Sequence, residues 1–357
     1  MVSAPRERYF GDMRENESDL RLAIAGTGLI GRRHAEAVAR AEGVRLVAVA
    51  DPFGEDWARG QGLAWHADVE ALIAAARPDG LIVATPNQAH VETGLAAVAA
   101  GIPALIEKPV ADTVVEAARL VEAGRAAGVP LLAGHHRRHN PLIRAAKARI
   151  EAGEIGRAVA AQATCWLYKP DAYFDVAWRT QPGAGPVFIN LIHDVDLMRH
   201  LVGEIEAVQA SDRNAIRGHA VEDTAAAILH FANGALGTVS VSDTVVAPWS
   251  WEMTAGENPA YPHTDQSCYQ IGGTHGALSI PDGTGWTQEP RGWWEPIDRT
   301  RPGIHDTDPL VAQISHFASV IRGKETPLVS AEEGLRSLAV IEAIGRSARS
   351  GRVETVA

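Results

Sequence analysis

Gly26-Thr27-Gly28-Leu29-Ile30-Gly31 constrains this chain more than any other stretch. It follows an apolar run over residues 21–25 and opens an alanine-rich segment, 29–41, that reads as a helix. At a strand–helix junction the first glycine permits a tight turn, the second lets a pyrophosphate reach the backbone, and the third lets helix and strand pack closely. The helix N-terminus adds free N–H groups and the positive end of its dipole. Asp51 stands twenty residues after Gly31, at the end of the next apolar run, 45–50. A carboxylate there accepts hydrogen bonds from ribose hydroxyls and repels a 2′-phosphate. The pattern predicts a dinucleotide site at Gly26, Thr27, Gly28, Leu29, Ile30, Gly31 and Asp51, with NAD preferred over NADP.

Strands and helices alternate through residue 134. Residues 68–76, 88–100 and 112–127 read as helices; 80–84, 103–106 and 130–133 read as strands. Short links and continuously apolar strands predict a doubly wound parallel sheet with both faces covered. Beyond residue 140 the order changes. A helix over 140–152, a strand over 154–169 and a helix over 186–202 precede strands at 205–212, 221–232 and 235–246. The last two join across Asn233-Gly234, a hairpin signal. More strands are expected near 250–255, 266–273 and 276–280, then closing helices over 308–321 and 331–347. The fold class is therefore α/β: a Rossmann-like N-terminal domain and a C-terminal α/β domain with an open, mostly antiparallel sheet. The expected boundaries are a flexible leader at 1–19, a nucleotide domain at 20–139, a substrate and oligomerisation domain at 140–330, and a C-terminal helix and tail at 331–357 packing back on the body.

At 357 residues the chain exceeds one ordinary core, and 46% hydrophobic content can fill two. A net charge of −11 with interspersed signs argues against nucleic acid as a partner. Two cysteines, Cys165 and Cys268, make no disulfide framework and point to a reducing compartment. No apolar run approaches the ~18 residues of a membrane span. The expectation is a cytoplasmic protein.

Ligands of an open α/β sheet lie beyond the carboxyl ends of its strands. Thr85, Pro86, Asn87 and His90 follow one strand there, where the nicotinamide end of a cofactor passes. Glu107 and Lys108 follow the next. A lysine beside a cleft loses solvation and can serve as a base, and Pro109 fixes its direction. His135, His136, Arg137, Arg138 and His139 follow the last strand; the interleaved arginines argue against a metal, and Arg138 is the expected substrate ligand. Seven of nine tryptophans lie beyond residue 150. The loop with Tyr168, Lys169, Tyr173, Trp178 and Arg179 can stack on a sugar and bind its hydroxyls or a carboxylate. Asn190 and His193, three apart on a helix, share a face and reach one pocket. The segment 243–261, with Trp249 and Trp251, either closes that pocket or forms an oligomer contact.

GxGxxG, Asp51, Ala84-Thr85-Pro86-Asn87-x-x-His90 and Glu107-Lys108-Pro109, in this order, resemble the Gfo/Idh/MocA family of glucose–fructose oxidoreductase and inositol dehydrogenase relatives. The resemblance continues through the segment 134–141, Trp178-Arg179, residues 183–201 with His193 and Asp196, His316-Phe317 and residues 334–351. It implies a nicotinamide cofactor, with Trp178 and Arg179 near the nicotinamide, and oxidation of a secondary alcohol, or the reverse, on a sugar, polyol or cyclitol; Lys169 and Arg179 add a sugar acid to that class. It also implies that Lys108 and His193 handle the proton, and that the second domain builds a homodimer or homotetramer. Which of the two is the base stays open here. The chain departs from the family at Ile189, where many members carry Asp four residues before the histidine. Two other readings compete: NAD-dependent glycoside cleavage through transient oxidation, and a silent NAD-binding sensor.

Overall fold

The computed structural model describes residues 19–301, 303 and 308–356. Residues 1–18 of the expected 1–19 leader lie outside the described residues. The chain divides into two units. The first begins β1 (Leu20–Ala25), α1 (Leu29–Arg40), β2 (Val44–Ala50), α2 (Glu55–Gln61), β3 (Ala64–His66) and α3 (Val69–Ala76). It continues β4 (Gly80–Val83), α4 (His90–Ala99), β5 (Ala104–Ile106), α5 (Val114–Ala127) and β6 (Leu131–Ala133). These strands form one parallel sheet ordered β3-β2-β1-β4-β5-β6. The reversal of order falls between β1 and β4, the place where such sheets open a ligand crevice. Helix starts are written locally: the Asp68 carboxylate accepts from Ala71 N–H, and the Thr113 hydroxyl accepts from Glu116 N–H. Sequence reading missed α2 and β3. Both are short, and α2 sits between Gly54 and a left-handed Gly62.

The second unit starts with α6 (Pro141–Glu151) and β7 (Ala158–Trp166). A π-helical turn over Val187–Leu191 runs directly into α7 (Ile192–Leu201). Then come β8 (Ile205–Arg213), β9 (Thr224–Phe231), β10 (Leu236–Ser242), α8 (Trp251–Thr254), β11 (Tyr269–Gly273), β12 (Gly276–Ile280), β13 (Gly285–Thr287) and β14 (Asp298–Thr300). Along β9, Ala225, Ala227, Leu229 and Phe231 are buried while Ala226 and Ile228 are exposed. That alternation leaves one face of the sheet for the core and one open. The Asn233-Gly234 hairpin forms as expected, with Gly234 at φ 86°. The strand expected at 250–255 is instead α8, because Ser250 caps a helical turn and Trp251 packs inward.

The chain closes with α9 (Pro309–Ile321), α10 (Ala331–Ser350) and β15 (Glu354–Thr355). β15 pairs with β8 and completes a nine-stranded sheet, β14-β13-β12-β11-β7-β10-β9-β8-β15. Only β10 and β7 pair in parallel among its described neighbours. The boundary at 330 needs correction: residues Leu310–Leu335 belong to the first unit. Ile314, Phe317 and Ala318 enter the core built by Leu22, Ile24 and Ile82, and a Cβ on Gly80 would lie 2.6 Å from Ile321 and 3.0 Å from Phe317. Val340, Ile341, Ala343 and Ile344 of α10 join the second core with α6, α7 and the sheet. The junction near 136 lies close to the expected 139.

Phe317→Ala should cost about 3–5 kcal/mol as a buried aromatic deletion. Hydrogen exchange on the full chain checks the assignment: protection should fall in β1 and β4 and stay unchanged in β8–β10.

Candidate active site

The glycine loop shows what each glycine is for. Gly26 has φ +94°, and a Cβ there would lie 2.3 Å from Ala84 O. At Gly31 a Cβ would lie 2.0 Å from Gly26 O. Gly28 differs, since nothing lies within 4 Å of its Cβ position. Two glycines are therefore demanded by backbone packing, and the middle one keeps the approach to the N-terminus of α1 open. Leu29 is exposed at that terminus and Ile30 half-buried.

Asp51 faces this loop. Its Oδ2 accepts from Thr27 N–H at 2.7 Å and from the Thr27 hydroxyl at 2.9 Å; its Oδ1 accepts from Phe53 N–H at 2.8 Å. Burial opposes the charge, but these hydrogen bonds outweigh it and hold the carboxyl below its ordinary range. A carboxylate offers about four lone-pair sites, so room remains for a ribose hydroxyl. Thr85 Oγ1 is buried without a partner among the described residues, at the same strand edge. An open glycine approach, an anionic acceptor and an orphaned hydroxyl together fit a dinucleotide. Arg32 is not simply a solvated side chain: its Nε donates to Thr27 O at 2.8 Å and its guanidinium sits 5.4 Å from the Trp57 ring centre.

His90 is buried, with ring nitrogens 2.7 Å from Pro109 O and 2.9 Å from Thr85 O. It braces the turn after β4 against the turn after β5, while Pro86 and Asn87 stay at the surface side of that brace. Asn87 makes no side-chain cap; a short 3-10 turn, Asn87–Ala89, begins there. Glu107 is buried at the end of β5. Its Oε1 lies 2.7 Å from Nε2 of His34, a residue of α1 with no solvent exposure. Its Oε2 accepts from Lys108 N–H at 3.1 Å. Burial pushes this carboxyl up, yet the His34 bond and the neighbouring His136 and Lys108 bring it down to about 2. Sequence reading missed His34, because a partner seventy-three residues away leaves no local signal. The Lys108–Pro109 peptide is cis.

In the second unit, α7 carries His193, which is largely buried. Asp194 accepts from the Tyr269 hydroxyl and lies 3.4 Å from Arg137, which also donates to Glu252 at 2.7 Å. Burial raises Asp194 to about 6, against the pull of Arg137. Trp251 stacks on Tyr269 at 5.8 Å and is buried in the core; Trp249 meets Trp166 edge-on at 5.6 Å. Arg138 donates from both prongs to Asp196, at 2.8 and 2.7 Å, and Ser337 donates to Asp196 at 3.0 Å. That bidentate pair is buried, so Arg138 is committed to holding α7.

The aromatic loop gathers around Tyr173. Lys169 lies 5.1 Å and Arg179 4.2 Å from its ring centre. Lys169 Nζ donates to Asn190 Oδ1 at 2.8 Å, one helical turn before His193. Arg179 donates to Tyr173 O at 2.8 Å and faces the half-exposed Trp178 at 5.7 Å. Tyr168 is exposed and lies 5.7 Å from Arg217. Arg217 and Asp243, which position Lys169, were not singled out from sequence.

Comparison with known proteins agrees with this architecture. A family model described as an oxidoreductase family with an NAD-binding Rossmann fold matches residues 20–135. A second, the GFO/IDH/MocA C-terminal domain, matches residues 143–279. A 1,5-anhydro-D-fructose reductase of Ensifer adhaerens is 28% identical over 94% of this chain and 98% of its own length. A scyllo-inositol 2-dehydrogenase (NAD(+)) of Bacillus subtilis strain 168 is also 28% identical, over 94% of this chain and 96% of its own. The crystal structure of the WlbA dehydrogenase from Bordetella pertussis, with NADH and UDP-GlcNAcA, superposes with a TM-score of 0.77 at 27% identity, covering 95% of this chain and 99% of that one.

Two measurements check the first unit. Asp51→Ala should weaken NAD binding about tenfold or more and narrow its margin over NADP, read by calorimetry. Glu107 has its carboxyl lowered from 4.5 to about 2, so its contribution to stability is whole above about pH 4.5 and drains away as pH falls toward 2. His34→Leu removes the chief partner, and acid unfolding followed by circular dichroism should begin at higher pH than in the unaltered protein.

Proposed function

The chain belongs to the Gfo/Idh/MocA family of oxidoreductases, with an NAD-binding Rossmann domain, and from that premise we propose how it works. It oxidises, or in reverse forms, a secondary hydroxyl of a sugar, polyol, cyclitol or sugar acid. Relatives named for inositol and anhydrofructose chemistry support that class. One observation carries the reading. Lys108 stands at the carboxyl end of β5, on the sheet edge that also carries the open glycine loop and anionic Asp51, and its turn is anchored by the buried Glu107–His34 pair.

A bound nicotinamide supplies the hydride acceptor or donor. The protein's part is position and proton handling. Lys108 and His193 handle the proton of the reacting hydroxyl, with His193 taking it and Lys108 donating a hydrogen bond to the oxygen. Gly26 to Gly31, Asp51, Thr85 and Asn87 hold the cofactor, and Trp178 and Arg179 attend its nicotinamide end. Glu107 is too strongly held as an anion to exchange protons near neutrality, so it positions Lys108. His90 acts as a brace and Arg138 as the anchor of α7; neither needs to touch a ligand. Tyr168, Lys169, Asn190 and Arg179 are the substrate-facing set.

Lys108→Ala and His193→Ala should each lower turnover by about 10²–10⁴, the usual worth of a positioned acid or base. A screen of sugars, inositols, sugar acids and glycosides for NADH formation supplies the assay. Bulk NADH formation separates a net dehydrogenase from glycoside cleavage through transient oxidation. Turnover untouched by Lys108→Ala would defeat the assignment.

A further inference from the structure

Lys169 presents a charge that the protein compensates only in part. Its side chain is 9% exposed, so its ammonium has lost most of its water. It makes one short hydrogen bond, to Asn190 Oδ1 at 2.8 Å, although an ammonium carries three donors. The nearest carboxylate, Asp243 Oδ2, is 3.9 Å away, beyond hydrogen-bonding distance. Asp243 is already engaged by Arg217, whose Nε donates to Oδ1 at 2.7 Å. One buried carboxylate therefore serves two cations.

The other acids of this region are engaged elsewhere or displaced; Glu252, which also acts on Lys169, accepts from Arg137 at 2.7 Å. Asp223 accepts from Ile216 and Arg217 N–H groups at 2.9 and 3.0 Å and from the Thr224 hydroxyl at 2.9 Å. Glu222 accepts from Val187 N–H, and burial raises its carboxyl above its ordinary range. Asp171 is 93% exposed. On the other side Arg179 adds a positive charge over the same Tyr173 ring, and its Nε is buried with no acceptor among the described residues. Burying a cation without its full set of acceptors is costly, and the cost is removed by an anion that docks on it.

Asn190 ties this charge to the reacting centre, because it lies three residues, about one turn, before His193. An acid at Asn190 would neutralise the ammonium; the neutral amide orients it and leaves its charge free. We infer that Lys169 is a specificity residue which binds a carboxylate on the substrate, so that the preferred ligand is a carboxylated sugar of the uronate type. A dianionic phosphate would call for a larger set of donors than one ammonium and a neighbouring guanidinium. The inference rests on the dehydrogenase reading for the fate of the ligand, but the anion site does not depend on turnover.

The test is calorimetric titration of the full-length, NAD-loaded protein with D-glucuronate and D-galacturonate against D-glucose and D-galactose, with NADH formation followed in parallel. A charge-assisted bond predicts that at least one uronate binds about tenfold or more tighter than its neutral parent, with a gap that narrows as salt rises. Lys169→Met should erase the gap, and Lys169→Arg should keep part of it. Asn190→Asp, a change that adds no bulk, should weaken the uronate by a larger factor than the neutral sugar, because its carboxylate competes for the Lys169 ammonium. Neutral sugars binding as tightly as uronates, no uronate binding at all, or a preference that survives Lys169→Met would each overturn the inference. Uronate binding without NADH would sink the dehydrogenase reading and spare the anion site. NADH from neutral sugars without any acid preference would do the reverse.

Discussion

The buried contact between Glu107 and His34 is the constraint on which the first unit's chemistry depends. A carboxylate at the end of β5, out of water, is tolerable only with donors on both oxygens. His34 serves one and the Lys108 N–H serves the other. His34 sits one turn into α1, the helix whose N-terminus faces the glycine loop. The same bond thereby fixes the phosphate-binding helix and the direction of the lysine turn. Gly134 belongs to this arrangement too, since a Cβ there would lie 2.9 Å from Glu107. Glu107 thus holds the turn that carries Lys108 through contacts with His34 and the Lys108 N–H.

The second unit solves a different problem. α7 is buried along nearly its whole length yet carries His193, Asp194, Asp196 and Arg199. Each acid is matched by an arginine from the short turn before α6: Arg137 near Asp194 and Arg138 on Asp196. Such pairs add little net stability compared with apolar packing, but breaking one strands a buried charge and costs several kcal/mol. They fix the rotation and depth of the helix, and so the direction in which His193 points. Lys169 is the exception, a buried cation whose nearest acid is shared.

Much of the fold was legible because its signals are local. Glycines with forced backbone contacts, the Asp68 and Asn140 caps and the Asn233-Gly234 hairpin are each written in a few adjacent residues. Continuous apolar runs marked the parallel strands. The segment 250–255 was misread because its aromatics satisfy a strand pattern, while Ser250 and the stacking of Trp251 on Tyr269 favour a turn of helix. α9 was assigned to the wrong unit because its apolar face fits either core by pattern, and only tertiary packing against Leu22 and Gly80 decides. Among the site residues, Asp51 and the glycines were readable from spacing. His34, Arg217 and Asp243 were not, since their roles arise from contacts between distant strands and helices. The pairing of Arg138 with Asp196 was hidden for the same reason: an arginine at a ligand edge looks unpaired until Asp196 is placed beside it. The π turn before α7 also left no trace in the apolar pattern.

The central claim is that the residues around Lys108 and His193 serve direct oxidation of a carbinol carbon on a sugar-like ring. The most direct measurement follows deuterium placed on that carbon of a substrate found by screening. The account predicts that the label leaves the sugar and is recovered on carbon 4 of the reduced nicotinamide, on one face only. Label retained in the released product, with the cofactor unlabelled and unreduced, would contradict it.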